Sequence, residues 1–172
     1  MKPIVAAGDL SRQVTTPDGD LTILNGISLQ VMPGDAVAIV GPSGSGKTTL
    51  FNMIGALQKP TSGKVYIDQV DIAQLDHNEL AWLLCRKIGY IFQTFNLIPV
   101  MTCLENVTLP MSFAGTKGEL AREKGVQILK MVGLEHRILH KPSELSGGQQ
   151  QRVSIGFSLV PECPISVSYT HL

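Results

Sequence analysis

The sequence predicts an α/β fold built largely on a parallel sheet, and three observations carry that expectation. Short apolar runs alternate with stretches of helical periodicity, a glycine-rich turn joins one such run to a helix, and a polar loop leads into a second glycine-rich helix start. Continuous apolar strands are buried on both faces, which is the condition of a parallel sheet covered by its crossover helices.

Residues 21–31 are rich in Leu, Ile and Val, and Met32, Pro33, Gly34 and Asp35 close the segment with turn chemistry. Ala36, Val37, Ala38, Ile39 and Val40 form an unbroken apolar run and are expected to be a strand buried in the parallel sheet. After a glycine-rich turn, residues 47–57 place Leu50, Phe51, Ile54 and Leu57 on one helical face. Residues 64–68 alternate like a half-exposed strand behind the turn at 60–63. Asp76 or Asn78 can cap a helix running through Leu84. Residues 88–92 read as another buried strand. Beyond Pro99 the pattern becomes helical, clearest at 119–132, and after a polar loop ending at Pro142 a new helix starts at Ser146. No internal repeat or low-complexity linker interrupts this order.

The composition narrows the function. The chain has 172 residues, 44% of them apolar, which is enough for a compact core. Lys plus Arg and Asp plus Glu are both 14, so no general basic excess favours nucleic acid. No apolar run reaches bilayer length, and the N-terminal apolar stretch stops at Gly8 and Asp9, too short for a signal peptide; a cytoplasmic protein is expected. Cys85, Cys103 and Cys163 are odd in number and widely spaced, the pattern of reduced, partly buried thiols. His136 and His140 could share a helix face, but nothing supplies a third metal ligand.

Two motifs carry the chemistry. Gly41, Pro42, Ser43, Gly44, Ser45, Gly46, Lys47 and Thr48 match G-x-x-x-x-G-K-[ST] between an expected strand and an expected helix. Glycines let backbone N–H groups converge on phosphate oxygens, and the helix start adds partial positive charge. Lys47 suits the β- and γ-phosphates of ATP, the Thr48 hydroxyl suits Mg²⁺, and Thr49 continues the loop into the helix. The second motif is Leu145, Ser146, Gly147, Gly148, Gln149, Gln150, Gln151 and Arg152. It is a second helix start shaped for phosphate, with no side chain to block approach. One nucleotide has no need of two such helix ends from one molecule. Two molecules arranged head to tail could each lend Ser146, Gly147, Gly148 and Gln149 to the nucleotide held by the other.

With both motifs in place, the sequence resembles the ATP-binding subunits of ABC transporters, in which L-S-G-G-Q is the signature; the resemblance runs to about Leu159. It implies a P-loop NTPase fold of the ABC ATPase type, with an N-terminal antiparallel β portion, a mostly parallel core sheet and a helical insert at roughly 95–145. It also implies that Gln93, after Ile91 and Phe92, reaches the metal and the attacking water. The strings at 92–99, Glu105-Asn106-Val107, Leu109-Pro110 and 141–144 look most like the lipoprotein-release and macrolide-export branch. The implied partners are a membrane permease and a second ATP-binding subunit, with no nucleic acid, on the cytoplasmic face of the membrane.

Three departures stand against that pattern. Val14 falls where the family stacks an aromatic residue on adenine, and Phe157 falls where an Arg is common. After Pro164 and Ile165 no Asp-Glu pair follows, so the last core strands, the carboxylate for the attacking water and the switch His are expected to be missing. Residues 167–172 look like one reading frame of a sequencing-library adapter, and Ser166 fits the bases before it. Residues 1–165 are therefore expected to be a partial nucleotide-binding domain and 166–172 a non-native tail. A soluble ABC-type ATPase acting on DNA or ribosomes is the alternative, weakened by neutral charge and the lack of a long coiled-coil insertion. A P-loop kinase or GTPase leaves residues 145–152 unexplained and lacks N-K-x-D.

Overall fold

The computed structural model describes residues 1–92, 94–160 and 163–168. They form two compact units, Met1–Leu80 and Ala81–Leu172.

The first unit is built on strands β1 (Val5–Thr16), β2 (Gly19–Val31), β3 (Ser62–Ile67) and β4 (Val70–Asp71), in the order β2-β1-β3-β4, with helix α1 (Lys47–Ile54). β1 pairs antiparallel with both neighbours, Val5 facing Val31 of β2 and Ile67 of β3. Burial along β1 starts with period two, at Val5 and Ala7, and then slips to Leu10. The slip is a bulge: both registers shift after Ala7 or Gly8, and Asp9 takes φ 51°. It turns Leu10 inward, where it is wholly buried with Val65, Ile67 and Met53. The β3–β4 hairpin turns on Asp68 and Gln69, both at positive φ, as the twist of a two-residue hairpin loop demands.

The expected strand at 36–40 does not form. None of the described strands pairs with it, and Val37 and Val40 are 55% and 73% exposed. A parallel strand gains its stability from ladders on its flanks. Its apolar pattern persists here without those partners.

The second unit carries the end of helix α2 (His77–Lys87), strand β5 (Ile88–Ile91), helices α3 (Cys103–Phe113), α4 (Glu119–Met131) and α5 (Gly147–Leu159), and strand β6 (Ile165–Ser168). β5 and β6 pair in parallel, Ile88 opposite Ile165 through Ile91 opposite Ser168. Residues 166–168, expected to be a non-native tail, thus take a place in a strand. Asp76 caps α2 by accepting from the N–H groups of Asn78 and Glu79, both at 2.8 Å. Cys103, Val107 and Met111 of α3, Ala121 and Leu129 of α4, and Val153 of α5 form one buried cluster with Leu134 and Leu145. α5 lies so close to β5 that a Cβ at Gly89 would strike the Ser158 carbonyl, which fixes glycine there.

Candidate functional site

The phosphate loop owes its shape to its own glycines and to Lys47. Gly46 is the residue before α1 and adopts φ 86°, a left-handed conformation that an L-residue occupies at a cost of roughly 1–2 kcal/mol. A Cβ there would lie 2.9 Å from Leu24 Cδ2 and 3.1 Å from the Ile23 carbonyl oxygen. Helix α1 therefore begins hard against β2. No side chain caps it, so the N–H groups of its first turn point out of the helix start without a side-chain acceptor. The Lys47 ammonium folds back across the loop, donating to the carbonyl oxygens of Gly41 at 2.8 Å and Pro42 at 2.7 Å. Gly41, Pro42, Ser43, Gly44, Ser45 and Thr48 are exposed; Lys47 and Thr49 are half-buried. An anion at this helix start meets outward N–H donors, the positive end of the helix dipole and a lysine one side-chain rotation away.

The signature segment is held from behind. Gln150 Nε2 donates to the carbonyls of Pro142 and Leu145, at 3.0 and 3.2 Å, and the Leu145 side chain is buried. Ser146 caps α5 in a reciprocal box: its Oγ accepts from Gln149 N at 3.4 Å, while Gln149 Oε1 accepts from Ser146 N at 2.9 Å. The expected supply of free donors is thus reduced to Gly147 and Gly148, because Gln149 is satisfied within the chain. Both glycines are exposed, neither has positive φ, and an added Cβ at either would meet nothing within 4 Å. Nothing in this chain's own packing or backbone demands glycine at these two positions.

Gln93 lies outside the described residues. The segment after it is described, and its organiser is Asn106, which the sequence offered only as part of the Glu-Asn-Val string. Asn106 is 2% exposed. Its Oδ1 accepts from Ile98 N at 2.8 Å, and its Nδ2 donates to Ile98 O, Met101 O and Thr102 O at 3.2, 3.1 and 3.0 Å. A buried amide with all these partners pins the loop at 98–102 to the start of α3. The sequence signal is an Asn on the helix face it shares with Cys103, Val107 and Pro110, where only a side-chain network makes it tolerable. Val14 pairs with Leu21 across the β1–β2 hairpin and is half-buried, and no aromatic residue occurs in either strand.

The glycine-rich loop that opens α1 and the glycine-opened α5 define an ATP-binding cassette. A family model described as ABC transporter matches residues 24–167, and the chain belongs to that family. It is 49% identical over 146 residues to the uncharacterized ABC transporter ATP-binding protein MJ0796 of Methanocaldococcus jannaschii, a match covering 83% of this chain and 62% of that protein. It is 40% identical over 159 residues to the lipoprotein-releasing system ATP-binding protein LolD of Hyphomonas neptunium, covering 92% of this chain and 70% of LolD. Over 152 residues it is 45% identical to the macrolide export ATP-binding/permease protein MacB of Vibrio parahaemolyticus, 88% of this chain and 23% of MacB. The fold matches a dimeric post-hydrolysis structure of MJ0796 bound to ADP and Pi with TM-score 0.89 at 43% identity, covering 95% of this chain and 72% of that one. This chain spans less than two thirds of the length of MJ0796. The expected α/β class of the ABC ATPase type and the lipoprotein-release and macrolide-export likeness hold, but the expected mostly parallel core sheet is reduced, among the described strands, to the β5–β6 pair, since the run at 36–40 finds no ladder.

Proposed function

We propose that this chain is the ATP-binding part of an ABC transporter in which two cassettes close head to tail on ATP and drive a membrane permease, for export or lipoprotein release. The observation that carries the proposal is the contrast between two helix starts. The one at Gly46 is shaped by this chain for an anion, while the one at Gly147 is kept bare for something outside it. A second cassette presenting its bound nucleotide satisfies the bare one. The dimeric MJ0796 structures and the names of the LolD and MacB relatives support the reading.

In this proposal the loop at 41–48 and Thr49 hold the triphosphate of ATP, with Lys47 turning from its carbonyls to the β- and γ-phosphates. Bound Mg²⁺ supplies charge neutralisation between those phosphates. Thr48 and Gln93 are its proposed protein ligands. The site fits the nucleotide because the uncapped helix start and the Gly46 cradle offer donors with no side chain in the way. Residues 1–165 then act as one nucleotide-binding domain with its helical insert at 95–145. Among the described residues no helix is long and apolar enough to cross a membrane, which suits a subunit attached to the cytoplasmic face through its partner.

The permease contact is proposed at the loop pinned by Asn106. Pro99 and Val100 are exposed, Val100 at 76%, while Leu97, Ile98 and Met101 are half-buried, so the apolar run is not consumed by the core.

The chain of 172 residues is proposed to bind ATP without turning it over appreciably. After the signature it carries a single acidic residue, Glu162, and no Asp-Glu pair. A missing general base costs about 10²–10⁴ in rate. Phosphate release is measured for this chain and for a version extended by an Asp-Glu strand and downstream His segment. The extended chain is expected to be faster by that factor. Equal turnover places the catalytic carboxylate elsewhere, and absence of ATP-Mg binding by calorimetry overturns the whole reading.

A further inference from the structure

The chain enters α5 through two short turns set end to end. Over the first, Pro142–Glu144, the Glu144 Oε2 atom accepts from Lys141 N at 2.7 Å. The second is the Ser146–Gln149 cap at the helix start. Each of these bonds stays within its own turn. Gln150 crosses from one to the other: its single Nε2 donates to the Pro142 carbonyl of the first turn and to the Leu145 carbonyl at the joint. Pro142 and Leu145 are buried and Gln150 is half-buried, so the bolt is anchored in packed chain.

The residues in front of it have no such anchor. Ser146, Gly147 and Gly148 are exposed, and an added Cβ at either glycine would meet nothing. Packing around the glycines therefore does not fix where their N–H groups point. That direction comes from the axis of α5 and from the turn that feeds it. A side chain in the first turn of a helix leans back toward the N-terminus, which lets Gln150 reach the turn behind the helix start while the space around both glycines stays open.

We infer that Gln150 is a positioning residue for ATP-dependent closure, holding the Gly147 and Gly148 N–H donors on the bearing at which a second cassette presents its nucleotide. The inference rests on the head-to-tail reading above and adds a residue to it. Gln150 acts through the Pro142 and Leu145 carbonyls, not by contact with phosphate.

The test compares Gln150→Met and Gln150→Lys with the parent chain. Self-association is followed by light scattering with and without ATP-Mg, ATP-Mg affinity by calorimetry on dilute chain, and stability by urea unfolding. Met keeps the length and the helix propensity of Gln but has no N–H to donate. Two neutral hydrogen bonds are lost per chain and a closed pair uses the segment twice, so the dissociation constant of the ATP-bound pair should rise about tenfold or more. ATP-Mg affinity of the dilute chain should stay at the parent's value, because the phosphate loop supplies it. Lys returns N–H donors on a side chain long enough for the same carbonyls, and should recover most of the association. That recovery, relative to the parent, should be equal at about 0.1 and 0.5 M salt, where attraction between a new charge and phosphate would be screened.

A Met variant that associates like the parent overturns the inference alone. So does a loss that Lys fails to recover, or recovers at low salt only. A lower urea midpoint with association intact makes Gln150 a folding residue. A parent that binds ATP-Mg without associating overturns the head-to-tail reading together with the inference. Should Gln150→Met fail to fold, Gln150→Ala takes its place with the same expected outcomes, Ala being the strongest helix former.

Discussion

The two glycine-rich helix starts look alike in sequence and differ in what makes them glycine. At Gly46 the chain itself requires it, through a left-handed φ and a Leu24 methyl 2.9 Å from where a Cβ would sit. At Gly147 and Gly148 the backbone is ordinary and the surrounding space is open. A glycine that its own fold explains says something about local folding. A glycine that its own fold leaves unexplained points to a visitor, because clearance is the property left to account for it.

The sharpest way to break that distinction is Gly46→Ala. It combines roughly 1–2 kcal/mol of left-handed strain with about 1–3 kcal/mol for pushing Leu24 or the Ile23 carbonyl aside. Urea unfolding should show a clear fall in midpoint. An unchanged midpoint would mean the loop relaxes freely and that its shape is not imposed by β2. Lys47→Ala comes next and acts chiefly on binding. Removing a charge-assisted contact should cost roughly 1.5–3 kcal/mol, or tenfold and more in ATP-Mg affinity. Because Lys47 now bonds two loop carbonyls, a modest stability loss can accompany it; equal nucleotide affinity by calorimetry would remove Lys47 from the site.

At the signature the expectation reverses. Gly147→Ala and Gly148→Ala should leave the unfolding midpoint unchanged or raise stability by up to about 1 kcal/mol, since Ala favours a helix over Gly. The same substitutions should weaken ATP-dependent self-association measured by light scattering. Loss of stability with self-association intact would return these glycines to a local folding role.

That comparison also explains which features were legible in the sequence. The start of α1 at Lys47, the Ser146 helix start, the Asp76 cap and the strand at 88–91 are set by local rules, and each falls where those rules put it. β1 is not legible as a strand because its bulge at Asp9 breaks the alternation between Ala7 and Leu10. Helix α1 ends at Ile54, short of Leu57, because Gly55 caps it and Ala56 turns to φ 60°. The run at 36–40 shows the deeper limit. Its apolar pattern says what environment the segment is suited to, whereas pairing depends on strands that must be supplied from elsewhere in the fold. Asn106 was legible only as part of a string, since its role lies in four hydrogen bonds to a loop with no periodicity of its own.

The smallest effect belongs to a third helix start, α3, whose donors are satisfied within the chain. There the donors are capped in full: Glu105 Oε2 accepts from Thr102 N at 2.7 Å and Thr102 Oγ1 at 2.8 Å, and Thr102 Oγ1 accepts from Glu105 N at 3.2 Å. The Thr102 backbone bond first, and its hydroxyl second, hold the Glu105 carboxyl below the ordinary glutamate range. A group whose folded pKa is depressed binds fewer protons when folded, so its contribution is complete above about pH 4.3, the unfolded value, and is lost as pH falls through the lower folded one. Glu105→Gln should therefore lower the unfolding midpoint slightly at neutral pH, and the two chains should converge as the pH drops below 4. The carboxylate is at the surface, so added salt should shrink the difference as well. A gap between Glu105→Gln and the parent that stays constant from pH 7 down to pH 3 would show that the cap works through hydrogen-bond geometry alone. Helix starts with no ligand to bind would then owe nothing to charge, and the positive field invoked at Gly46 would lose its nearest control within the same chain.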